Sequence, residues 1–334
     1  MHSSSYPELG RKQQRQEENR NASANNVSFL RSQLILFQSR QKWGLVYSLA
    51  TVVGLFCLPG ALGVFGQQQQ TLPILDVVQK SAPLPFISLL ITIGMYVLND
   101  LADSDLDKAN GKKRPIPSGL VSKRQALEFV MMTNGIAVIL SLVTLNVVTM
   151  VMVVPMLVIG ILYSSRKAAF ENKFVVKNVS IAVFYMLCAL LGMTSGYTLG
   201  LAVDNPFVAI RAAAALGIMV FISSILNDLG DIEGDRQAGR RTIPIVMGEQ
   251  GTIKMAIALA AGLFAISWLT YWLSGGSGLV TAVLTTLFSA LIGARIANLR
   301  KGVNDVDFLR RQHKNFVPLH FLLQLFLFGG GALF

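Results

Sequence analysis

Charge is scarce in this chain. Asp, Glu, Lys and Arg make up only 14% of its 334 residues, against about 25% in soluble domains, and that argues against an ordinary soluble fold. Cysteine is nearly absent: Cys57 and Cys188 both lie inside apolar runs, the place for small buried side chains rather than a disulfide or thiolate metal site. Of the three histidines, His2 sits in the polar start, while His313 and His320 flank or enter the last apolar run. They read as structural, and no Ser-His-Asp or Cys-x-x-Cys arrangement is legible. The chain opens polar, so no signal peptide is visible. Acids are outnumbered, leaving a net charge of +11. The basic residues lie in short loops between apolar runs, a mark of membrane topology rather than of nucleic-acid binding.

What is present in excess is apolar sequence, 52% of the residues. Residues 1–27 are rich in Ser, Gln, Asn, Arg and Glu without apolar period, and are expected to be a disordered polar tail. Residues 28–334 form one domain. Ser28 to Trp43 is basic and partly apolar, suited to an interfacial helix. A bilayer core needs about 20 apolar residues of helix, and nine stretches are candidates: Gly44–Phe65, Leu84–Leu98, Ala126–Leu145, Val147–Leu162, Val179–Leu199, Phe207–Leu226, Ile253–Leu273, Leu279–Leu299 and Phe316–Leu333. The fold class is therefore all-α, a polytopic membrane protein of nine transmembrane helices. Arg211 and Arg295 fall inside spans, near enough to their ends to snorkel.

Loop charge alternates along the chain. Arg31, Arg40 and Lys42 precede the first span, and only Lys80 follows it. Lys108, Lys112, Lys113, Arg114, Lys123 and Arg124 come after the second, and none at the turn near Asn146. Arg166, Lys167, Lys173 and Lys177, then Arg236, Arg240 and Arg241, then Arg300, Lys301, Arg310, Arg311 and Lys314 complete the basic loops. The positive-inside rule places these loops and the N-terminus in the cytoplasm and the C-terminus outside.

One phrase occurs twice. Asn99-Asp100-Leu101-Ala102-Asp103-Ser104-Asp105-Leu106-Asp107 and Asn227-Asp228-Leu229-Gly230-Asp231-Ile232-Glu233-Gly234-Asp235 both read N-D-x-x-D-x-x-x-D, and each closes an apolar run. The two halves of the chain look like parallel internal repeats. At about 100° per residue, Asp100, Asp103 and Asp107 share one helical face, as do Asp228, Asp231 and Asp235. Asp105 and Glu233 point away. A single acidic loop reads as solvated surface charge with helix capping. Two matching copies on one membrane face read as a cation site, because stacked carboxylates repel unless something cationic holds them.

Mg²⁺ prefers oxygen ligands and is commonly held by one or two carboxylates plus substrate phosphates. Two facing acidic clusters with cations close behind them suit a Mg²⁺-diphosphate site. The cations are Lys112, Lys113 and Arg114 behind the first phrase, Arg240 and Arg241 behind the second. Asn99 and Asn227 add amide contacts. Tyr163 and Lys167, spaced i,i+4, offer a phenol and an ammonium on one face.

The doubled phrase, the run Arg114-Pro115-Ile116-Pro117-Ser118-Gly119, the Tyr163-x-x-x-Lys167 step and the nine spans together resemble the UbiA superfamily of intramembrane prenyltransferases. The resemblance runs from about Arg40 to the end. Asp231-Ile232-Glu233-Gly234-Asp235-Arg236 with Gly239-Arg240-Arg241-Thr242-Ile243-Pro244-Ile245 is most similar to the archaeal digeranylgeranylglyceryl phosphate synthases. Chlorophyll synthases share the Pro-Ile-Pro-Ser-Gly run. Enzymes that prenylate 4-hydroxybenzoate carry a Lys-Pro-x-Gly motif before the first span. Here that place reads Arg40-Gln41-Lys42-Trp43-Gly44, without the proline.

The resemblance implies helices around a central cavity and a transferase acting inside the bilayer. It implies Mg²⁺ bound by Asp100, Asp103, Asp107, Asp228, Asp231 and Asp235, facing metal rather than core. It implies a prenyl diphosphate, with Asn99, Arg114, Tyr163, Lys167, Asn227 and Arg241 on its diphosphate. The acceptor is a membrane lipid such as geranylgeranylglyceryl phosphate, its phosphate anchored by Arg40 and Lys42. An aromatic quinone precursor, a chlorophyll-type ring or acceptor-free terpene cyclisation are the alternatives on the same scaffold. A cation pathway is disfavoured, because transport proteins hold ionisable groups near the midplane and these lie at helix ends.

Overall fold

The computed structural model describes residues 28–56, 74–109, 113–165, 174–199 and 206–332. Among the described residues every regular element is helical, as the sequence leads one to expect. Helix α1 (Phe29–Phe56) is followed by the short α2 (Ile74–Ser81), then α3 (Pro83–Ala102) and the six-residue α4 (Ser104–Ala109). Next come α5 (Lys123–Val143), α6 (Val147–Ser164), α7 (Phe174–Met193) and the short α8 (Ser195–Leu199). The second half continues with α9 (Pro206–Gly230), the six-residue α10 (Ile232–Gln237), α11 (Ile243–Leu273), α12 (Leu279–Asn298), and α13 (Val306–Ala332) after a 3-10 turn.

Seven of these stretches are long and apolar enough to cross a bilayer: Leu75–Ala102, Lys123–Val143, Val147–Ser164, Phe174–Met193, Phe207–Gly230, Ile243–Leu273 and Leu279–Gly302. The first and last long helices are not among them, although they run 28 and 27 residues. Their first halves carry Arg31, Arg40 and Lys42, and Arg310, Arg311 and Lys314. The basic approach segment is no separate interfacial helix: it runs unbroken into α1. The polar tail, Cys57 and the end of the first expected span lie outside the described residues.

Local sequence explains the boundaries. Asn146 turns the chain between α5 and α6: its Oδ1 accepts from the Val148 and Thr149 amides at 2.9 and 3.2 Å, and its Nδ2 donates to the Thr194 carbonyl. Ser122 and Gln125 form a reciprocal capping box at the start of α5. Helix α11 starts ten residues before the expected span and bends at Gly248, whose φ of 71° suits glycine.

Helices α3 and α9 are each the centre of one half. Helix α3 packs against α1, α5 and α6, and α9 against α7, α11 and α13. The halves are joined where α1 crosses α7 through small residues. A Cβ built on Gly54 would fall 1.9 Å from the Ala189 carbonyl oxygen, and one on Gly192 would fall 1.8 Å from that of Thr51. Such close approach of backbones is the usual use of glycine between membrane helices. It sets Tyr47 on α1 against Tyr185 on α7. Tyr47 and Tyr185 meet edge to face at 4.5 Å between centroids.

Arg211 does not snorkel. It is 1% exposed and donates to Thr270 Oγ1, Ser274 Oγ and the carbonyls of Ser277 and Gly278. Those acceptors lie at the α11–α12 turn, so the guanidinium satisfies loop carbonyls in place of water. Arg295, by contrast, is exposed near the end of α12.

Candidate active site

Each acidic phrase straddles a helix break, so its three carboxylates do not share one continuous helical face. Helix α3 stops at Ala102; Asp103 turns with φ −87° and ψ 0°, and α4 begins at Ser104. Asp231 turns in the same way, with φ −114° and ψ 10°, between α9 and α10. Across the first break Asp100 and Asp107 still lie close enough for one arginine nitrogen to bridge them. Asp103 and Asp231 project at the turns, while the flanking acids pack inward. Asp100, Asp107 and Asp228 are 3%, 1% and 0% exposed, each covered by a basic side chain.

Every one of the six carboxylates meets a basic side chain. Arg40 forks onto both oxygens of Asp100, with Nε 2.7 Å from Oδ2. Arg114 Nη1 bridges Asp100 Oδ1 at 2.7 Å and Asp107 Oδ2 at 2.6 Å. In the second phrase Lys177 Nζ donates to Asp228 Oδ1 at 2.5 Å, and Asn178 Nδ2 to Oδ2 at 3.2 Å. Arg310 reaches Asp231 at 3.4 Å and the Gly230 carbonyl at 3.0 Å. Arg240 links the two phrases, with Nη2 3.1 Å from Asp103 Oδ1 and Nη1 3.7 Å from Asp235 Oδ1.

The loops after each phrase aim these arginines. Around Pro115 and Pro117, turns close by Ser118 N to Arg114 O, Gly119 N to Ile116 O and Val121 N to Pro115 O. They hold Arg114 back against its two acids. After α10, Gly239 takes φ +67°, and the Arg240 amide bonds back to the Asp235 carbonyl at 2.9 Å. This left-handed stop is one that glycine makes without strain. It swings Arg240 inward and leaves Arg241 exposed.

Both phrases open on one cavity of about 700 Å³. Its polar end is lined by Asn99, Asp103, Arg114, Tyr163, Lys177, Asn227, Asp231, Asp235, Arg240 and Arg310. Trp43, Val46, Tyr47, Tyr96, Ile181 and Val220 line the rest, with His313 and His320. Arg40 lies over the Tyr96 ring at 5.7 Å, and Trp43 stacks on Tyr96 at 6.1 Å. The arrangement is a charged rim that can grip an anion above an apolar, aromatic wall that can hold a hydrocarbon.

Of the residues singled out from sequence, Asn99, Asp103, Arg114, Tyr163, Asn227, Asp231, Asp235 and Arg40 line this cavity. Arg241 and Lys42 are exposed and do not reach it; Lys42 is about 200° round α1 from Arg40. Lys112 and Lys167 lie outside the described residues. Lys177, Arg310, Trp43, Tyr47, Tyr96 and the two cavity histidines were not picked out as site residues. Lys177 and Asn178 did leave a signal, a polar pair interrupting an apolar run.

Among the described residues no three His, Cys, Asp or Glu side chains form a ready metal-binding group. The donors around the cavity nevertheless suit a hard divalent ion: the carboxylates of Asp103, Asp231 and Asp235 and the amide oxygens of Asn99 and Asn227. Asp235 Oδ2 is buried without a hydrogen-bond partner, an acceptor left open for a cation. Burial pushes the Asp235 carboxyl above its ordinary value; Lys177 opposes that rise and Asp228 adds to it.

Comparison with known proteins gives a consistent picture. The sequence pattern of the UbiA prenyltransferase family matches residues 56–316. The chain is 29% identical over 236 residues to the digeranylgeranylglyceryl phosphate synthase of Methanopyrus kandleri, covering 71% of this chain and 82% of that one. Its fold superposes on a solved digeranylgeranylglyceryl phosphate synthase with a TM-score of 0.68, at 21% identity, covering 91% of this chain and 99% of that one. A UbiA homologue from Archaeoglobus fulgidus, solved with GPP and Mg²⁺ bound, matches with a TM-score of 0.59 at 16% identity, covering 87% and 99%.

Proposed function

The chain belongs to the UbiA prenyltransferase family, and we propose that it moves a geranylgeranyl group from its diphosphate to the free hydroxyl of geranylgeranylglyceryl phosphate. It is a multi-pass membrane prenyltransferase. Prenyl transfer in archaeal ether-lipid synthesis is the reading that its similarity to the digeranylgeranylglyceryl phosphate synthases supports. The observation that carries the proposal is the cavity itself. Two acidic phrases 128 positions apart meet at one charged rim, above a wall of Trp43, Tyr47, Tyr96, Ile181 and Val220.

In this reading the donor lies with its tail along the aromatic wall and its diphosphate at the rim. Asp103, Asp231 and Asp235, with Asn99 and Asn227, would hold Mg²⁺. When bound, Mg²⁺ supplies neutralisation of the diphosphate charge, which makes it a better leaving group. Arg114, Lys177, Arg240 and Arg310 line the same rim and offer further N–H donors, beyond those on their carboxylates, to the diphosphate as the bond breaks. Their fixed placement stabilises charge where it develops. Asp100, Asp107 and Asp228 hold Arg40, Arg114 and Lys177 in position rather than touching the ion. Tyr163 adds its phenol to the same anion. The aromatic wall keeps water from the allylic cation left at C1. The rim faces the cytoplasm, where the basic loops belong by the positive-inside rule.

The test is product formation by purified protein given geranylgeranyl diphosphate, Mg²⁺ and one acceptor at a time. Ether product with geranylgeranylglyceryl phosphate is expected. Product only with a benzoate or naphthoate, or a hydrocarbon with no acceptor, would refute the reading.

A further inference from the structure

Two of the carboxylates suited to a metal ion already hold a cation of the chain's own. Asp103 sits at the turn between α3 and α4, and Asp235 lies in α10. Arg240 reaches both, Nη2 to Asp103 Oδ1 at 3.1 Å and Nη1 to Asp235 Oδ1 at 3.7 Å. Arg240 and Asp103 are 137 positions apart, so this one guanidinium ties the two halves together at the rim. All three residues line the cavity.

The contact is looser than its neighbours. Arg114 and Lys177 hold Asp100, Asp107 and Asp228 at 2.5–2.7 Å, on carboxylates no more than 4% exposed. The acids under Arg240 are 14% and 10% exposed, and the contacts are longer. The backbone is tied separately, through the Arg240 amide on the Asp235 carbonyl at 2.9 Å, so the side chain can turn on a fixed base. Asp235 Oδ2 has no hydrogen-bond partner and gives an arriving cation its first oxygen.

Charge decides what can displace the guanidinium. A divalent ion alone would take these oxygens and stand beside a guanidinium stripped of its acids, a contact of like charges. A diphosphate alone would meet the carboxylates as an anion among anions. Arriving together, the two exchange partners with the chain: the ion takes the carboxylates, and the guanidinium takes phosphate oxygens, which it binds in charge-assisted hydrogen bonds.

We propose that Arg240 is a placeholder cation that makes metal and diphosphate load together, each weakly without the other. This rests on the Mg²⁺-diphosphate reading above and assigns the coupling between the two to one side chain. Arg240 is in this respect a positioning residue.

The experiment uses the full chain in detergent without acceptor. Binding of Mn²⁺ alone is followed by its free-ion EPR signal, and binding of labelled geranylgeranyl diphosphate is measured in EDTA and in Mn²⁺. In wild type, Mn²⁺ should raise donor affinity about tenfold or more. In Arg240→Gln, Mn²⁺ alone should bind about tenfold tighter, and its effect on donor affinity should shrink to about threefold or less. Arg240→Lys keeps the charge with one nitrogen for two acids, and should bind Mn²⁺ alone about threefold tighter than wild type; it decides the matter if the Gln variant does not fold. Arg241→Gln removes the same charge one residue away, outside the cavity, and should follow wild type. Arg240 variants with wild-type Mn²⁺ affinity and coupling overturn the proposal, as does an equal shift in Arg241→Gln. Wild type that binds metal and donor independently overturns the placeholder alone. Wild type that binds neither refutes the Mg²⁺-diphosphate reading and the placeholder with it.

Discussion

Lys177 joins Asp228 at 2.5 Å, with the two side chains 12% and 1% exposed. Replacing it as Lys177→Met removes the ammonium and leaves the Asp228 carboxylate buried against the Asn178 amide. Breaking a buried pair from one side costs about 3–5 kcal/mol. At about 2 °C per kcal/mol for a chain of this size, Tm should drop by about 6–10 °C. Asp228→Asn should drop it too, because Lys177 is then the uncompensated charge. This differs from what the acidic phrase suggested on its own, a carboxylate facing metal whose neutralisation leaves the fold untouched. The double variant removes both charges, and its Tm should return to within a few degrees of wild type, since replacing both partners of a buried pair is often nearly neutral. The assay is thermal unfolding of all four proteins in detergent without metal, with turnover measured in parallel. The double variant should be folded and inactive. A double variant as unstable as Lys177→Met would refute the argument, because it would place the loss in the lysine stem rather than in charge balance.

Asp103→Asn should cut turnover about 100-fold or more, as loss of a preorganised charge contact does. Asp105→Asn should leave turnover near wild type, because Asp105 is exposed and its pair with Lys123 lies at the surface; equal losses would refute the assignment of Asp103 to the cavity. Gly192→Ala should destabilise by about 3 kcal/mol or more in the same melt, since its Cβ would meet the Thr51 carbonyl at 1.8 Å. Gly262→Ala, with open space around it, should be neutral or up to about 1 kcal/mol more stable. Asp235 gives a pH test in metal-free protein. Its folded carboxyl is raised, chiefly by burial, so the folded state keeps a proton that the unfolded state has released. Wild-type stability therefore falls as pH rises from the ordinary carboxylate range through the raised value. Asp235→Asn should match wild type below that window and exceed it above; identical melts at every pH would contradict the burial.

The helices were legible because their signal is local. An apolar run of membrane length declares itself without knowledge of its neighbours, and Asn146 marked its turn by residue type. What lay outside reach depended on partners. Helix α11 extends back to Ile243 because Gly248 can bend with φ 71°, and nothing in the apolar period announces that. Arg211 read as a snorkelling side chain. Only the fold places Thr270, Ser274, Ser277 and Gly278 around it. The break at Asp103 is a further case: 100° per residue is sound geometry for a helix that continues, and this one stops.

The site divides along the same line. The acids were readable because they repeat, whereas their cations do not. Arg114 follows its phrase closely and binds two of its carboxylates, yet Arg40 comes to Asp100 from 60 positions upstream. The second phrase draws Lys177 from α7, Arg310 from α13 and Arg240 from its own loop. The two halves are therefore alike in negative charge and unlike in what balances it. At the first, one Arg114 nitrogen bridges the buried Asp100 and Asp107 and holds them shut. At the second, Asp231 is half exposed and Asp235 keeps an open oxygen. A duplicated scaffold has thus become two unequal walls. The second is the more open to an incoming cation, and Arg240 is the one side chain, among the described residues, seen to span from Asp235 to Asp103. Loading the cavity must therefore compete with Arg240 for both carboxylates, and the guanidinium so displaced is already at the rim where a diphosphate would lie.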